Sequence, residues 1–527
     1  MVVKTGAGRA NGLVEALLRP EAYPEPTESV ELRETHISWV FLTDRHAYKL
    51  KKPVRFEFLD FSTLGARKAA CRAELELNRR WTHGVYLDVV PVVRMAGGLV
   101  CVGSRRGRVV DWMVKMRRLP DDLRLDVRIH RGLLTDTDRE RVVRTLATLH
   151  RDLPPLPVRA DEYRNRVEAH MRANWEELRE AAEFLPAIPI ERSQSRQWRW
   201  LRLHGDVLAD RARNGRIVDG HGDLRPDHIY LEEPLAVVDC VEFSDDLRRI
   251  DALDDLAFLI MDCRVSGEYR LGERLLEVYR QESGDDYFPA LIWLYLAYRA
   301  SVRAKVSWLR AAQRAGSVDR SALAQAADYL READEAARQL GPPLLIVMRG
   351  VSGSGKSTLA AAVASELGLQ RIGTDQLRQQ MCGTASQPQA WRSGKYTTEA
   401  REAVYDELFQ AAEERLSEGL DAVLDGTFLE TSYCGRASEL AERYGAALLF
   451  VECRCDEAEL KSRLVRRVPG RDAASEADWE VARRQLAEYE PLEQPCVVSV
   501  DTLSDFPQQL AAVKDAARIL LQQSAEG

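Results

Sequence analysis

The chain has 527 residues, of which 45% are hydrophobic and 30% charged, with a formal net charge of −8 and a pI near 5.8. This length exceeds what a single hydrophobic core usually serves, so two or three domains are expected. The composition excludes a disordered chain, and the acidity argues against a stable nucleic-acid complex or a binder of anionic membranes.

The first twenty residues, MVVKTGAGRANGLVEALLRP, lack the continuous apolar core of a signal peptide. We find no stretch of about 18 uncharged apolar residues that could span a bilayer. Nine cysteines, an odd number without framework spacing, are typical of reduced thiols. We therefore predict a cytoplasmic protein with no membrane partner.

The N-terminal part begins with strand patterns. SWVFLTD and AYKLKKP, separated by a turn at Arg45 and His46, predict two strands, and residues 66–81 have helical spacing. The apolar runs VVPVVRM, GLVCVG and VVDWMVKM predict a β-meander. From Pro120 to about residue 213 the pattern is mostly helical. A β-rich front and a helical back that meet at HGDLRPDHI (221–229) predict a two-lobed architecture.

The C-terminal part has a different pattern of predicted helices and strands. Residues 318–341 predict a helix, and the following Gly-Pro-Pro at 341–343 breaks the chain, so we place a domain boundary there. Beyond it, LLIVMRG, AVLDG and ALLFVEC predict strands that alternate with helices, which is typical of a parallel sheet with crossover helices. The sequence thus predicts two domains, 1–335 and 343–527.

GVSGSGKST at 350–358 follows a predicted strand and opens a predicted helix. Its glycines let backbone N–H groups turn inward around a phosphate, its lysine reaches the β- and γ-phosphates, and the serine after it offers a hydroxyl to Mg²⁺. We therefore predict that ATP and Mg²⁺ bind at Gly350, Gly353, Ser354, Gly355, Lys356, Ser357 and Thr358.

Further polar residues lie near the predicted carboxyl edge of the sheet. Asp375 and Arg378 in GTDQLRQQM follow the second strand candidate, and Asp425 in VLDGTF ends another strand. SRLVRRVPGR supplies basic residues on a segment suited to a closing lid, namely Arg463, Arg466, Arg467 and Arg471.

Most of 343–527 resembles the small-molecule and polynucleotide P-loop kinases grouped with zeta toxins, polynucleotide kinase and gluconate kinase. The resemblance implies that Asp375 contacts or deprotonates an acceptor hydroxyl, that Arg378 contacts substrate or phosphate, and that Asp425 lies near Mg²⁺. It also implies that lid arginines such as Arg463 and Arg467 neutralise charge on the transferred group. The acceptor would be a small molecule or nucleotide-like compound.

HGDLRPDHI followed by AVVDCVEF resembles the catalytic and metal segments of aminoglycoside phosphotransferases and choline-kinase-like enzymes. In that family the two carboxylates serve as base and Mg²⁺ ligand, which implies Asp223 and Asp239 here. Residues 229–231 and 236–238 can pair as a hairpin that brings these carboxylates together. The resemblance further implies Lys49 as the strand lysine that grips nucleotide phosphates, Glu74 as its partner and Asp255 as a helix-capping residue behind the loop.

Two departures from that family stand out. His228 occupies the position of a metal-binding Asn, and there is no glycine-rich loop between Val30 and Lys49. Two alternative interpretations therefore remain. The lobe binds nucleotide without turnover, or His221, Asp223 and His228 form a hydrolytic metal site.

The order of parts resembles bifunctional aminoglycoside phosphotransferase-like/ATP-binding proteins. The implied fold is an α+β two-lobed protein-kinase-like domain followed by an α/β P-loop NTPase domain with a parallel sheet. We expect an ATP-dependent phosphotransferase with two nucleotide sites and an alcohol group as acceptor. The alternative is an ATP-binding regulatory protein, in which the N-terminal lobe is a scaffold and the P-loop domain is a hydrolytic switch.

Overall fold

The computed structural model describes residues 7–56, 59–312, 318–382, 398–466, 479–493 and 496–526. The chain divides into two compact units. The first unit comprises Met1–Tyr163 and Ala209–Phe288, and the second comprises Arg164–Leu208 and Pro289–Gly527. The domain boundary placed between residues 335 and 343 stays a prediction. No helix in the described ranges is long and apolar enough to cross a membrane.

The helices are named here in chain order. They are α1 (Ala7–Leu17), α2 (Leu64–Asn78), α3 (Leu125–His130), α4 (Asp136–Asp152), α5 (Ala160–Glu180), α6 (Ala187–Leu203), α7 (Gly205–Arg213), α8 (Asp245–Arg248), α9 (Ala252–Val265), α10 (Tyr269–Ser283), α11 (Ala290–Ala312), α12 (Arg320–Arg338), α13 (Lys356–Leu367), α14 (Thr374–Cys382), α15 (Thr398–Ser417), α16 (Thr431–Arg443), α17 (Glu457–Arg466), α18 (Trp479–Glu488) and α19 (Phe506–Glu526).

The strands are named in the same way. They are β1 (Glu31–Glu34), β2 (Ser38–Leu42), β3 (His46–Lys51), β4 (Arg55–Phe56), β5 (Leu59–Asp60), β6 (Tyr86–Arg94), β7 (Val100–Val102), β8 (Arg108–Arg117), β9 (Ile217–Asp219), β10 (Ile229–Tyr230), β11 (Ala236–Val237), β12 (Arg249–Asp251), β13 (Leu344–Arg349), β14 (Gln370–Gly373), β15 (Ala422–Asp425), β16 (Ala447–Arg454) and β17 (Val497–Asp501).

The main sheet of the first unit is antiparallel, with the strand order β1-β2-β3-β8-β6-β7. The predicted strands and the helix at 66–81 are confirmed, because β2, β3 and α2 occupy those segments. The predicted β-meander is wrong. β7 spans only three residues and lies at the edge, whereas the ten-residue β8 pairs along most of β6 and places β6 between the two.

Successive side chains of β3 point to opposite faces of the sheet. Tyr48 and Leu50 join the apolar cluster on one face, so Lys49 and Lys51 lie on the opposite face. Helix α2 packs on β6 and β8. This helix carries Glu74, which is fully buried. The fold therefore buries two lysines beside a helix that bears a carboxylate.

The second unit contains a parallel sheet in the order β14-β15-β13-β16-β17. One face packs against α13 and α19 and the other against α15 and α16, so the sheet and these helices form three layers. The predicted alternation of strands and helices is confirmed. Because β13 is the central strand, the loop that follows it lies at the middle of the carboxyl edge, where α/β sheets bind ligands.

Candidate functional site

The glycine-rich loop connects β13 to α13. Gly350, Gly353 and Gly355 have φ angles of +142°, +88° and +87°, in the region that favours glycine. A Cβ at position 350 would lie 2.8 Å from the carbonyl oxygen of Cys453. The loop thus has a backbone path that side chains would obstruct, and Lys356 stands at the first position of the helix.

Contacts from neighbouring segments fix this loop. The N–H of Gly350 donates to the carbonyl of Thr427 at 3.0 Å, and the N–H of Ser352 donates to Oε1 of Gln485 at 2.7 Å. The hydroxyl of Ser354 is buried and makes no hydrogen bond within the protein. An unsatisfied buried hydroxyl in such a loop suits a site built around a polar ligand.

Two strand ends bring the candidate metal residues together. The hydroxyl of Ser357 donates to Oδ1 of Asp425 at 3.1 Å, and Asp425 is only 5% exposed. A hydroxyl and a carboxylate are the oxygen ligands that Mg²⁺ prefers, so this pair fits the ion. Nε of Arg371 lies 3.3 Å from the other carboxylate oxygen of Asp425. The sequence prediction did not include Arg371.

The acceptor-side residues lie on the adjacent strand end. Asp375 is in the first turn of α14, which follows β14 directly, and its Oδ1 is 2.5 Å from Nη1 of Arg378. The hydroxyl of Thr374 donates to the carbonyl of Asp425 at 3.3 Å. The structure therefore places Asp375 one strand away from the Ser357–Asp425 pair.

The predicted lid arginines are only partly described. Arg463 donates to the hydroxyl and the carbonyl of Thr502, at 3.1 and 2.8 Å. Its Nη1 would be 3.4 Å from a Cβ at Gly355, so it lies beside the loop. Arg466 ends α17. Thr358 is exposed in the first turn of α13. Arg467 and Arg471 lie outside the described residues.

The first unit holds a second cluster of charges. Nζ of Lys49 contacts Asp239 and lies 2.8 Å from Oε1 of Glu74. Burial alone would lower the pKa of Lys49, but Asp239 and Glu74 raise it well above its ordinary value. Burial likewise opposes the charged form of Asp239, yet Lys49 holds the pKa of that carboxyl well below its ordinary range. The predicted contact between Lys49 and Glu74 is present.

A second lysine, Lys51, which the sequence analysis did not include, completes this cluster. Lys51 is fully buried, lies 2.5 Å from Oε2 of Glu74 and contacts Glu242. The two-residue spacing of Lys49 and Lys51 along one strand was the available signal, since it puts both on one face. Glu74 is therefore held from two sides.

His228 of the segment HGDLRPDHI lies near both Asp223 and Asp239. Nδ1 of His228 lies 2.8 Å from the carbonyl oxygen of Asp223, and its Nε2 lies 4.0 Å from Oδ2 of Asp239. The predicted hairpin that joins these segments is confirmed as β10 and β11. His228 thus stands between the two carboxylates that the family resemblance singled out.

Asp255 binds the loop that begins at His221 and does not cap α9. It accepts the backbone N–H groups of His221 and Gly222 at 2.7 and 3.0 Å. The residue that caps α9 is Asp251, whose side chain accepts the N–H of Leu253. The expected capping role is therefore wrong, because Asp255 lies inside the first turn and points back to the loop.

Asp239 itself has φ +67°, a left-handed conformation uncommon for an aspartate. Its N–H donates to the hydroxyl of Tyr86 at 3.0 Å, and the N–H of Cys240 donates to Oδ1 of Asn78 at 2.9 Å. Strain of this kind persists only where the surroundings fix it, and it concentrates at functional sites.

Comparison with known proteins finds one family model and relatives that match most of the chain. The family model AAA_33, an AAA domain, matches residues 345–492. The protein named Uncharacterized protein Rv2004c, of Mycobacterium tuberculosis, is 33% identical over 491 residues, which cover 88% of this chain and 94% of the relative. The chain belongs to the Rv2004c family. Uncharacterized protein Mb2027c of Mycobacterium bovis matches with the same values.

Solved structures match a part of this Rv2004c-family chain. A sugar kinase from Janibacter sp. is 23% identical, with a TM-score of 0.28, over 34% of this chain and 98% of its own. A gluconokinase from Sinorhizobium meliloti is 24% identical, with a TM-score of 0.26, over 34% of this chain and 95% of its own. The AAA_33 match and the glycine-rich loop after the central strand make the C-terminal region a P-loop domain.

Proposed function

We propose that the P-loop domain binds ATP with Mg²⁺ and transfers the γ-phosphate to a hydroxyl group of a small molecule or nucleotide-like acceptor. The observation that carries this proposal is the hydrogen bond from Ser357, next to Lys356 at the start of α13, to Asp425 at the end of β15, with Asp375 just after the neighbouring strand β14. Phosphoryl transfer needs positioned charges more than covalent chemistry, and this set supplies them.

In the proposed reaction each residue has one task. Asp375 accepts the proton of the acceptor hydroxyl as its oxygen forms a bond to the γ-phosphorus. The bond from that phosphorus to the β–γ bridging oxygen breaks, which leaves ADP and a phosphate ester. Lys356 contacts the phosphates, and the charge-assisted contacts strengthen as charge develops. Ser357 and Asp425 would hold Mg²⁺, which neutralises phosphate charge when bound.

We also propose that the first unit is an aminoglycoside phosphotransferase-like lobe with its own nucleotide site. The Lys49–Glu74 contact, the strained Asp239 and the neighbouring Asp223 support this proposal. Lys49 would bind phosphates, Asp239 with His228 would hold Mg²⁺, and Asp223 would orient the acceptor hydroxyl. The protein would then be bifunctional, with ATP as the phosphate donor at both sites.

Substitutions in the full-length chain test the assignment. We expect Lys356→Ala to abolish transfer of labelled γ-phosphate at the P-loop without unfolding the protein. Asp223→Asn should lower any transfer at the first unit by about 10²–10⁴-fold, the usual contribution of a general base. Calorimetry of ATP binding and a transfer screen over a metabolite and nucleoside library provide the measurements.

The alternative function gives a different result in the same experiment. A regulatory switch with a scaffold lobe would hydrolyse ATP slowly at the P-loop, and no metabolite pool would change that rate. Asp239→Ala would then leave all phosphate transfer unchanged, while Lys356→Ala removed it. Absence of ATP binding to the intact chain would contradict both functions.

A further inference from the structure

Arg371 occupies an unexpected place in the P-loop site. Its Nε lies 3.3 Å from Oδ2 of Asp425, while Oδ1 of the same carboxylate accepts the hydroxyl of Ser357. Strand pairing explains the contact, because β14 and β15 run parallel and place Gly373 opposite Asp425. The carboxylate proposed to serve Mg²⁺ is thus shared between a hydroxyl ligand and an arginine.

The guanidinium also lies towards the acceptor side. A Cβ at Gly373 would be 3.7 Å from Nη2 of Arg371 and 3.9 Å from Oδ2 of Asp425. Gly373 is two residues before Asp375, the proposed base. The side chain of Arg371 is 31% exposed, whereas that of Asp425 is 5% exposed. Arg371 therefore lies beside Asp425 and Gly373, on the strand that leads to Asp375, with its side chain partly exposed.

Charge compensation suggests why an arginine lies there. A carboxylate that is almost fully buried is costly unless a positive charge compensates it, and Arg371 supplies that charge. A cation bound to Asp425 would take over the compensation and release the guanidinium. The planar fork of an arginine matches two phosphate oxygens, which neither a hydroxyl nor a lysine does.

We propose that Arg371 is a catalytic residue of the P-loop reaction, which pairs with Asp425 in this structure and engages the γ-phosphate when nucleotide binds. This inference rests on the proposed phosphoryl transfer. Arg371 makes and breaks no covalent bond in the transfer described above. It neutralises charge on the phosphoryl group while the proton passes to Asp375, a role that arginines fill in other phosphoryl-transfer sites.

The test compares two nucleotides that differ by the γ-phosphate. Affinities of the full-length protein for ADP and for the non-hydrolysable β,γ-imido analogue of ATP are measured by calorimetry in Mg²⁺. Binding that Lys356→Ala removes is assigned to the P-loop. We expect Arg371→Ala to reduce the preference for the imido analogue over ADP by about tenfold or more, since one charge-assisted contact is lost. ADP affinity should stay within a few-fold.

Two further variants complete the design. Arg443→Ala removes a 60% exposed arginine that pairs with Glu413 at 2.9 Å, and it should leave the preference unchanged. Arg371→Lys keeps a positive charge opposite Asp425 but not the fork, so it should reduce the preference even if Arg371→Ala fails to fold.

The outcomes separate the inference from the function on which it rests. Equal losses for ADP and the imido analogue in Arg371→Ala would mean that Arg371 only supports Asp425, and would overturn the inference. An unchanged preference in every folded Arg371 variant would do the same. If the wild-type chain binds neither nucleotide at the P-loop, the proposed function fails first.

Discussion

His221 is a buried histidine whose protonation opposes folding of the first unit. Its Nε2 lies 3.0 Å from the carbonyl oxygen of Val238, and its ring packs edge-on against Trp81. Burial lowers the pKa of His221 to about 4, from an ordinary value of 6.5. The unfolded chain therefore binds this proton between pH 6.5 and 4 while the folded chain does not. Stability falls as the pH falls through that window.

We expect His221→Gln to flatten this part of the pH dependence. Glutamine keeps an N–H donor for the Val238 carbonyl but does not titrate. Between pH 7 and 4.5 the wild type should lose roughly 2–3 kcal/mol more unfolding free energy than the variant. Urea unfolding at several pH values, followed by fluorescence, measures the difference. His130→Gln, at an exposed position, is the control, and parallel wild-type and His221→Gln profiles would contradict the prediction.

Functional residues could be predicted from the sequence where the chemistry requires a fixed local spacing. The loop from Gly350 to Ser357 was predictable because its spacing alone determines the phosphate cradle, and its strand and helix are in place. Arg371 and Lys51 were not predictable in the same way. Their partners Asp425 and Glu242 lie 54 and 191 residues away, and only the tertiary fold, through the pairing of β14 with β15 for Arg371, brings them together.

At the scale of elements, α6 is part of the second unit through buried charges. Arg199 is 1% exposed, its Nη1 donates to Oδ1 of Asp421 at 2.6 Å, and Asp421 is fully buried. Asp421 also accepts the hydroxyl of Ser195 and the N–H of Leu344, the first residue of β13. One carboxylate thus joins α6 to the strand that leads into the P-loop.

We expect this pair to show strong energetic coupling. Arg199→Met alone should cost about 3–5 kcal/mol of unfolding free energy, because it removes the arginine that hydrogen-bonds the buried carboxylate and leaves only Arg196, whose Nε lies 3.8 Å from Oδ1 of Asp421. Adding Asp421→Asn should recover a large part of that loss. A double-mutant cycle by urea denaturation measures the coupling. Arg338→Met, a 56% exposed arginine paired with Asp334, should change stability by less than about 1 kcal/mol. Additive losses at Arg199 and Asp421 would contradict the expectation.

Element types followed from periodicity more readily than element order did. The helices at 320–338 and from Lys356 match the predicted segments, as do β2 and β3. The order β8-β6-β7 was missed, because hydrophobic runs report that a strand is buried but not which strand it pairs with. The sequence of α6 alone does not indicate that this helix packs into the second unit.

At the scale of the whole molecule, the two units are interleaved along the chain. The chain passes from one unit to the other after Tyr163, Leu208 and Phe288. The first two of these passages fall inside α5 and α7. Three covalent passages, two of them inside helices, differ from a single flexible Gly- or Ser-rich linker, which would leave the two proposed nucleotide sites independent.

We therefore expect the two proposed nucleotide sites to be coupled. Asp239→Ala in the intact chain should change ATP affinity at the P-loop by about fivefold or more, which corresponds to the usual range of coupling free energies. Calorimetry, with the Lys356→Ala signal subtracted, measures this affinity. Asp136→Ala, at an 85% exposed aspartate of the first unit, is the control. Identical affinities in wild type and Asp239→Ala would indicate two uncoupled activities.

The pairing of Arg199 with Asp421 also has a consequence for synthesis. These partners are 222 residues apart in the chain. At translation rates of about 5–20 residues per second, the ribosome delivers Asp421 roughly 10 to 45 seconds after Arg199. During that interval the nascent α6 exposes Arg199 and the apolar Leu203 without the sheet that later covers them. The core of the second unit can therefore be completed only after most of the chain has been synthesised. Until then, this surface of α6 is available to chaperones.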